Sequence, residues 1–382
     1  MKVVIAPDSY KESMSAMEAA ACIREGLKKV FPDAECSLVP MADGGEGTAR
    51  CLMLSQQGNK ISCTVTGPLG KKTETDFVWI EKNQTAVIEV ARACGMMMIS
   101  PEEKNPDIAT SYGVGELILQ ALKKDCREII LTLGGTVSND GGSGMLMALG
   151  GRLLDRGGKA VPLGAGGLSQ IETVDLTEPV RLLKDVKITV LCDVKNRLLG
   201  KEGATYIFGP QKGVTEESLE RIEAGMEHYA EKITGAVGRD VASMKGAGAA
   251  GGIGFALFAV SDARFCSGAD YVMEALCLEE KIKNCDFVIT GEGSIDAQSL
   301  QGKVPVRIAR IAQKYKKPVY VFAGRQKGSM ELFYEAGITA VFSILRSLKS
   351  MEEVLEEAPE NLRCTVENFA RVLAAGQIKV ED

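Results

Sequence analysis

The stretch that most constrains this chain is Glu128–Gly144, EIILTLGGTVSNDGGSG. Its apolar start, Glu128–Leu133, suits a strand buried in a sheet. A polar turn with five glycines follows, and the pattern predicts a helix over Met145–Leu149. In open α/β sheets, ligands bind at such turns, just beyond the carboxyl ends of the strands. Glycines let backbone approach a ligand closely, and N–H groups at the next helix start favour anions. Gly134, Gly135, Thr136, Asn139 and Asp140 supply backbone, a hydroxyl, an amide and a carboxylate. Taken singly, the turn reads equally well as a polar connection. Its weight comes from recurrence.

The same arrangement appears elsewhere. Val3–Ile5 reads as a buried strand ending in Asp8, Ser9 and Lys11, before an amphipathic helix near Ser15–Val30 with Ser15 and Glu18 spaced for a capping box. Ser37–Val39 runs into Asp43, Gly44, Gly45 and Glu46. Two acids beside glycines suit a metal–phosphate site, because Mg²⁺ takes oxygen ligands and keeps waters; acids at a helix start also answer its dipole. Val186–Leu191 leads to Asp193 and Asn196. Phe287–Thr290 leads to a turn with Glu292, Ser294 and Asp296, then Lys303 and a helix near Val304–Tyr315. Gly302-Lys303 is followed by Val304 rather than Ser or Thr, so a Walker A loop fails. Gly246–Gly251 fits G-x-G-x-x-G, but Asp240–Lys245 is no strand, and a dinucleotide fingerprint is rejected.

Composition excludes several classes. A net charge of −6 argues against nucleic-acid or membrane-surface partners, and no apolar run reaches membrane-span length. The N-terminal strand is too short and too soon interrupted for a signal peptide. Eleven cysteines without CxxC pairs fit reduced thiols in a cytoplasmic protein. The single histidine, His228, falls in a polar helix and reads as solvated, so acid–base chemistry rests on Asp, Glu or Lys.

The organisation is expected to be α/β with two domains. Strand–helix alternation marks both ends of the chain. Between them, Ile61–Thr66, Thr75–Ile80 and Thr85–Val90 read as an antiparallel meander, and 155–180 as loop with little regular structure. Residues 1–65 plus 284–382 are therefore expected to form a discontinuous parallel-sheet domain. Residues 66–283 would be an inserted mixed α/β domain, with the active site in the cleft between them.

Carboxylates, glycines and a few lysines, with neither a catalytic histidine nor a GxSxG elbow, fit phosphoryl transfer. Longer motifs go further. APDSYKESMSA (6–16), ADGGEGT (42–48), GGTVSNDGGSGML (134–146), CDVKNRLLGKEGA (192–204), FGPQKG (208–213), GAGAAGGIGFAL (246–257) and TGEGSIDAQSLQGKVP (290–305) together resemble the type-1 glycerate kinase family. The resemblance covers nearly the whole chain. It implies a Rossmann-like first domain, and phosphorylation of D-glycerate by ATP on the 2-hydroxyl to give 2-phosphoglycerate. The chain departs from the family where Tyr10 and Glu12 replace a common Phe and Gly. Individual roles are inferred from residue chemistry. Asp43, Glu292 and Asp296 are expected to hold Mg²⁺. Lys11 and Lys303 would neutralise phosphate or carboxylate charge. Asp193 is the first choice of base and Asp140 the second. Asp8, Ser9, Gly44, Gly45, Gly134, Gly135, Thr136, Asn139, Asn196 and Ser294 would line the substrate and phosphate sites. Phosphorylation of the 3-hydroxyl, another small hydroxy acid, a non-catalytic sugar-acid sensor and a homo-oligomer stay open.

Overall fold

The structure is a computed structural model and describes residues 1–376 apart from Asp43, Glu46 and Gln298. In chain order its strands are β1 (Lys2–Ile5), β2 (Glu35–Leu38), β3 (Asn59–Thr66), β4 (Lys72–Ile80), β5 (Thr85–Glu89), β6 (Glu128–Thr132) and β7 (Arg152–Leu154). There follow β8 (Thr173–Asp175), β9 (Lys187–Leu191), β10 (Arg264–Cys266), β11 (Phe287–Ile295), β12 (Val319–Gln326) and β13 (Ala340–Ser343). The fold is mixed α/β in two compact units, Met1–Asp43 with Ala269–Asp382, and Gly44–Gly268.

The first unit is Rossmann-like. Its sheet has the order β13-β12-β11-β1-β2, and every pairing is parallel. Strand periodicity sorts the core onto two faces. Val3, Ile5, Phe287, Ile289 and Phe322 pack on Ile23 and Leu27 of helix Ala16–Lys28 and on Leu362, Val366 and Phe369 of helix Met351–Gly376. Val4, Ala6, Val288, Val321 and Ala323 pack on Val306, Ile308 and Ala309 of helix Val304–Lys314. Ser15 and Glu18 form the expected capping box: Ser15 Oγ accepts from Glu18 N–H at 3.3 Å while Glu18 accepts from Ser15 N–H at 2.8 Å.

The second unit holds a six-stranded sheet, β10-β9-β6-β5-β4-β3. The β3–β4–β5 portion is the antiparallel meander, and β5, β6, β9 and β10 are parallel. Glu89, Thr132 and Leu191 stand in register at the carboxyl ends of β5, β6 and β9. The turns beginning at Leu133 and Cys192 therefore leave the sheet at one edge.

Three features differ from the sequence reading. The joins between units fall at 43/44 and 268/269 rather than 65/66 and 283/284. All of β3 pairs with β4 in the second sheet, and Ala269, Val272 and Met273 join the first unit's core. Residues 155–180 are not mostly irregular: a 3-10 segment Ala165–Gln170, strand β8, which pairs back on β7, and the start of helix Thr177–Leu183 fall in this region, tied down by buried Val161, Leu168 and Ile171. Finally, β11 does not end at Thr290. It runs to Ile295, paired with β12 as far as Ile295↔Gln326, so Glu292 and Ser294 lie on the strand and not in a turn.

Candidate active site

In the first unit, two predicted groups meet at the carboxyl end of the sheet. The Asp8 N–H donates to Gly291 O at 2.8 Å, docking the Asp8–Lys11 turn on β11. Ser9 N–H donates to Asp8 Oδ1 at 2.7 Å. Buried Tyr10 anchors the turn by donating its hydroxyl to Phe322 O at 2.7 Å. A side chain at Gly291 would strike that hydroxyl, with a Cβ only 2.3 Å from Tyr10 Oη, which explains glycine there. Lys11 is exposed, and its backbone lies against Gly293.

Beside this turn, Lys303 Nζ stands 3.5 Å from Glu292 Oε2 and 3.9 Å from Asp296 Oδ1. Glu292 is buried, and its Oε1 has no hydrogen-bond partner. Burial pushes its carboxyl above the ordinary range, against the pull of Lys303 and the Ser299 hydroxyl. Of the three proposed metal ligands, Asp43 lies outside the described residues. Among those described, no group of three or more acid, histidine or cysteine side chains is placed to hold a metal. Glu292 and Asp296 share one cation, and one buried carboxylate oxygen is left without a partner. Such a pair fits Mg²⁺, which typically takes one or two carboxylates and completes its shell with water and phosphate oxygens.

In the second unit, the Gly134–Gly144 turn is largely buried and tightly tied. Asp140, fully buried, accepts from Ser111 N–H and Oγ–H, each at 2.8 Å, from Gly142 N–H at 3.1 Å, from Gly144 N–H at 3.3 Å and from Thr110 Oγ–H at 3.4 Å. This carboxylate organises the loop, and its crowded oxygens suit a base poorly. Thr136 Oγ1 accepts from Lys212 at 3.2 Å, and Asn139 Nδ2 donates to Thr205 Oγ1 at 3.3 Å. Gly134 lies against Gly45, and Gly44 against Gly268 and Leu191. Asp193 is exposed just past β9. Asn196 is drawn into local structure: Nδ2 donates to Glu202 O at 2.7 Å, and its carbonyl accepts from Gly246 and Gly248 N–H.

His228 is not simply solvated, since its Nε2 lies 2.6 Å from Ile171 O. The sequence reading also passed over Lys212, Ser111, Thr110 and Thr205. Lys212 falls in a Gly-Pro-Gln-Lys-Gly turn, where a lysine ordinarily faces water, and long-range packing against Thr136, Ser138 and Gly251 buries it.

The sequence profile of the Glycerate kinase family matches residues 3–374. The chain belongs to the glycerate kinase family. This glycerate kinase family member is 45% identical over 376 residues to a glycerate 2-kinase of Escherichia coli (strain K12), covering 98% of this chain and 99% of the relative. It is 44% identical over 374 residues to a glycerate kinase of Haemophilus influenzae (strain ATCC 51907 / DSM 11121 / KW20 / Rd), covering 98% and 99%. Its fold superposes with a TM-score of 0.87 on a crystal structure assigned as glycerate kinase 2 from Salmonella typhimurium LT2, at 42% identity over 99% of each chain. As a family member the chain is an enzyme, a kinase. Among its described residues no helix is long and apolar enough to cross a membrane.

Proposed function

We propose that this chain transfers the γ-phosphoryl group of ATP to the 2-hydroxyl of D-glycerate, giving 2-phosphoglycerate and ADP. The observation that carries the reading is the Glu292–Asp296–Lys303 cluster at the carboxyl end of a parallel strand, with one buried carboxylate oxygen unpartnered. The name of the Escherichia coli relative supports the acceptor and its position. In the reaction, the 2-hydroxyl oxygen bonds to the γ-phosphorus as the bond to the β,γ-bridging oxygen breaks, and the hydroxyl proton passes to a carboxylate. Asp193 is the proposed acceptor of that proton. Lys11 and Lys303 set positive charge against the phosphates or the glycerate carboxylate. Asp8, Ser9 and Ser294 line the same end of the first sheet, and Gly44, Gly45, Gly134, Gly135, Thr136 and Asn139 line the turns of the second. Glu292 and Asp296 would hold Mg²⁺, which when bound spreads the negative charge of the phosphates. Eleven free thiols support work in a reducing, cytoplasmic setting.

The test mixes purified protein with D-glycerate, ATP and Mg²⁺, and follows ADP release with phosphorus NMR of the product. Formation of 2-phosphoglycerate, abolished by EDTA, is the expected result. A 3-phosphoglycerate product would overturn the position. Binding of glycerate with no turnover would overturn the reaction and favour the sensor.

A further inference from the structure

Lys212 closes a short 3-10 turn, Pro210–Lys212, and its side chain runs inward. The residue is only 2% exposed. Its ammonium donates to Ser138 O at 2.7 Å and Thr136 Oγ1 at 3.2 Å, both neutral acceptors. A buried cation is costly unless a carboxylate or other anion compensates it. The buried carboxylate whose field reaches it is Asp140, but the oxygens of Asp140 are engaged by Ser111, Thr110, Gly142 and Gly144. The next residue along the loop from Ser138 is Asn139, fully buried, with Nδ2 bonded to Thr205 and Oδ1 without any hydrogen-bond partner. Gly251 fills the space behind: a Cβ there would fall 2.2 Å from Ser138 O and 2.9 Å from both Asn139 Cα and Lys212 Nζ.

The Thr136–Asn139 loop thus holds, from the Pro210–Lys212 turn, a buried cation with no directly bonded anion, and itself carries a buried acceptor with no donor. A ligand that answers both has a negative charge and an O–H group, which describes a hydroxy acid. We propose that Lys212 is a positioning residue for the acid substrate: it braces Thr136–Asn139 from behind and gives that loop the positive potential the substrate carboxylate meets, while Asn139 Oδ1 accepts a hydrogen bond from a substrate hydroxyl. The inference rests on the reading that the acceptor is a hydroxy acid.

Burial lowers the Lys212 pKa from 10.5 to about 8, against the opposing pull of the titratable groups that face it, Cys94 and Asp140, of which only Asp140 is an acid that ionises below this range. The Cys94 thiol is itself pushed up to about 12 by burial and stays neutral in this range. An anion bound nearby favours charged Lys212. By linkage, the acid substrate binds less tightly as pH rises through about 8, by up to about tenfold per pH unit.

The experiment measures KM for D-glycerate, KM for ATP and kcat from pH 6.5 to 9.5, with the Tm of each protein, for wild type, Lys212→Met and Lys212→Arg. In wild type the glycerate KM is expected to stay level to about pH 8 and then rise, with ATP KM and kcat level. Lys212→Met is expected to raise glycerate KM by about tenfold or more near neutral pH and to abolish the rise, because removing a charge that acts on binding alone moves KM. Lys212→Arg, which stays charged, is expected to abolish the rise without the loss. If Lys212→Met changes Tm and kcat but leaves glycerate KM and its pH profile as in wild type, Lys212 is a brace only and the inference fails. If the variants do not fold, the wild-type profile decides, and a level glycerate KM through pH 9.5 overturns the inference. If wild type does not phosphorylate glycerate, the proposed function fails on its own. Calorimetric titration of D-glycerate then judges Lys212: weakening through pH 8 supports it, and pH-independent or absent binding overturns it.

Discussion

Lys303 Nζ stands 3.5 Å from Glu292 Oε2, a cation 40% exposed facing a carboxylate side chain only 8% exposed. The lysine is therefore what keeps a buried acid ionisable. Replacing Lys303 with Met removes that support and leaves burial to raise the Glu292 carboxyl further. For an acid whose folded value is raised, the stabilising contribution is present below the ordinary 4.5 and is lost as pH rises through the folded value. In Lys303→Met that window moves upward, so stability at neutral pH falls and the acid limb of the activity profile shifts to higher pH. Turnover is expected to drop by about 10²–10³-fold, the range for removing one preorganised charge-stabilising group. A full pH–rate profile beside a thermal melt checks both. An unmoved acid limb would detach Glu292 from the chemistry.

Two aspartates in the second unit should behave in opposite ways. Asp193 is exposed past β9, and Asp193→Asn is expected to cut kcat by orders of magnitude with little change in Tm. Asp140 is the buried hub of its loop, and Asp140→Asn turns an amide donor toward groups that already donate. That change should destabilise by about 3 kcal/mol, since it breaks a buried charged network. Melting curves and initial rates on both variants separate the cases. Near-normal turnover in Asp193→Asn would remove its assignment as base.

The contrast shows what local pattern carries. β6 and its turn were readable because an apolar run followed by glycines is a short-range signal, and so was the Ser15–Glu18 box. The role of Asp140 was not, because its partners Thr110 and Ser111 are about thirty residues away in sequence and reach it only through the tertiary fold. The extension of β11 through Gly291 and Gly293 was hidden for a related reason. Glycines weaken strand propensity locally, and pairing with β12 supplies what propensity lacks. Lys212 was invisible as a buried group because it sits in a Gly-Pro-Gln-Lys-Gly turn, and the residues that enclose it, Thr136 and Ser138, are more than seventy residues away in sequence. The sequence thus marked which strand ends carry polar groups, whereas the division of those groups between chemistry and scaffolding depended on long-range contacts.

The segment Asp8–Glu12 carries two substitutions relative to the family pattern it resembles, and they are expected to have opposite signs. Tyr10 donates to Phe322 O at 2.7 Å, so Tyr10→Phe loses a buried hydrogen bond and should cost about 1–1.5 kcal/mol. Glu12 sits at φ 65°, a left-handed conformation that costs an ordinary residue about 1–2 kcal/mol. Glu12→Gly removes that strain but adds unfolded-state entropy, leaving a net gain of under about 1 kcal/mol. Denaturant midpoints of the two single variants are expected to move in opposite directions. A loss of stability in Glu12→Gly would mean that its side chain makes a compensating contact.

Gly251 offers the sharpest steric test of the loop behind Lys212. It sits at φ +66°, and a Cβ would fall 2.2 Å from Ser138 O, where ordinary van der Waals contact begins beyond 3.4 Å. The obstructing atom is backbone, so the loop itself must move. Gly251 O also accepts from Gly141 N–H at 2.9 Å, linking the two segments directly. Gly251→Ala is therefore expected to displace Ser138 and Asn139 and to weaken the Lys212–Ser138 hydrogen bond. The stability cost should be about 1–3 kcal/mol, the usual range for overpacking, with a rise in glycerate KM larger than any change in ATP KM. Steady-state kinetics in both substrates, with a melt at the same pH, reads this out. Equal changes in the two KM values would show that the strain spreads through the unit and that the Thr136–Asn139 loop does not select the acid.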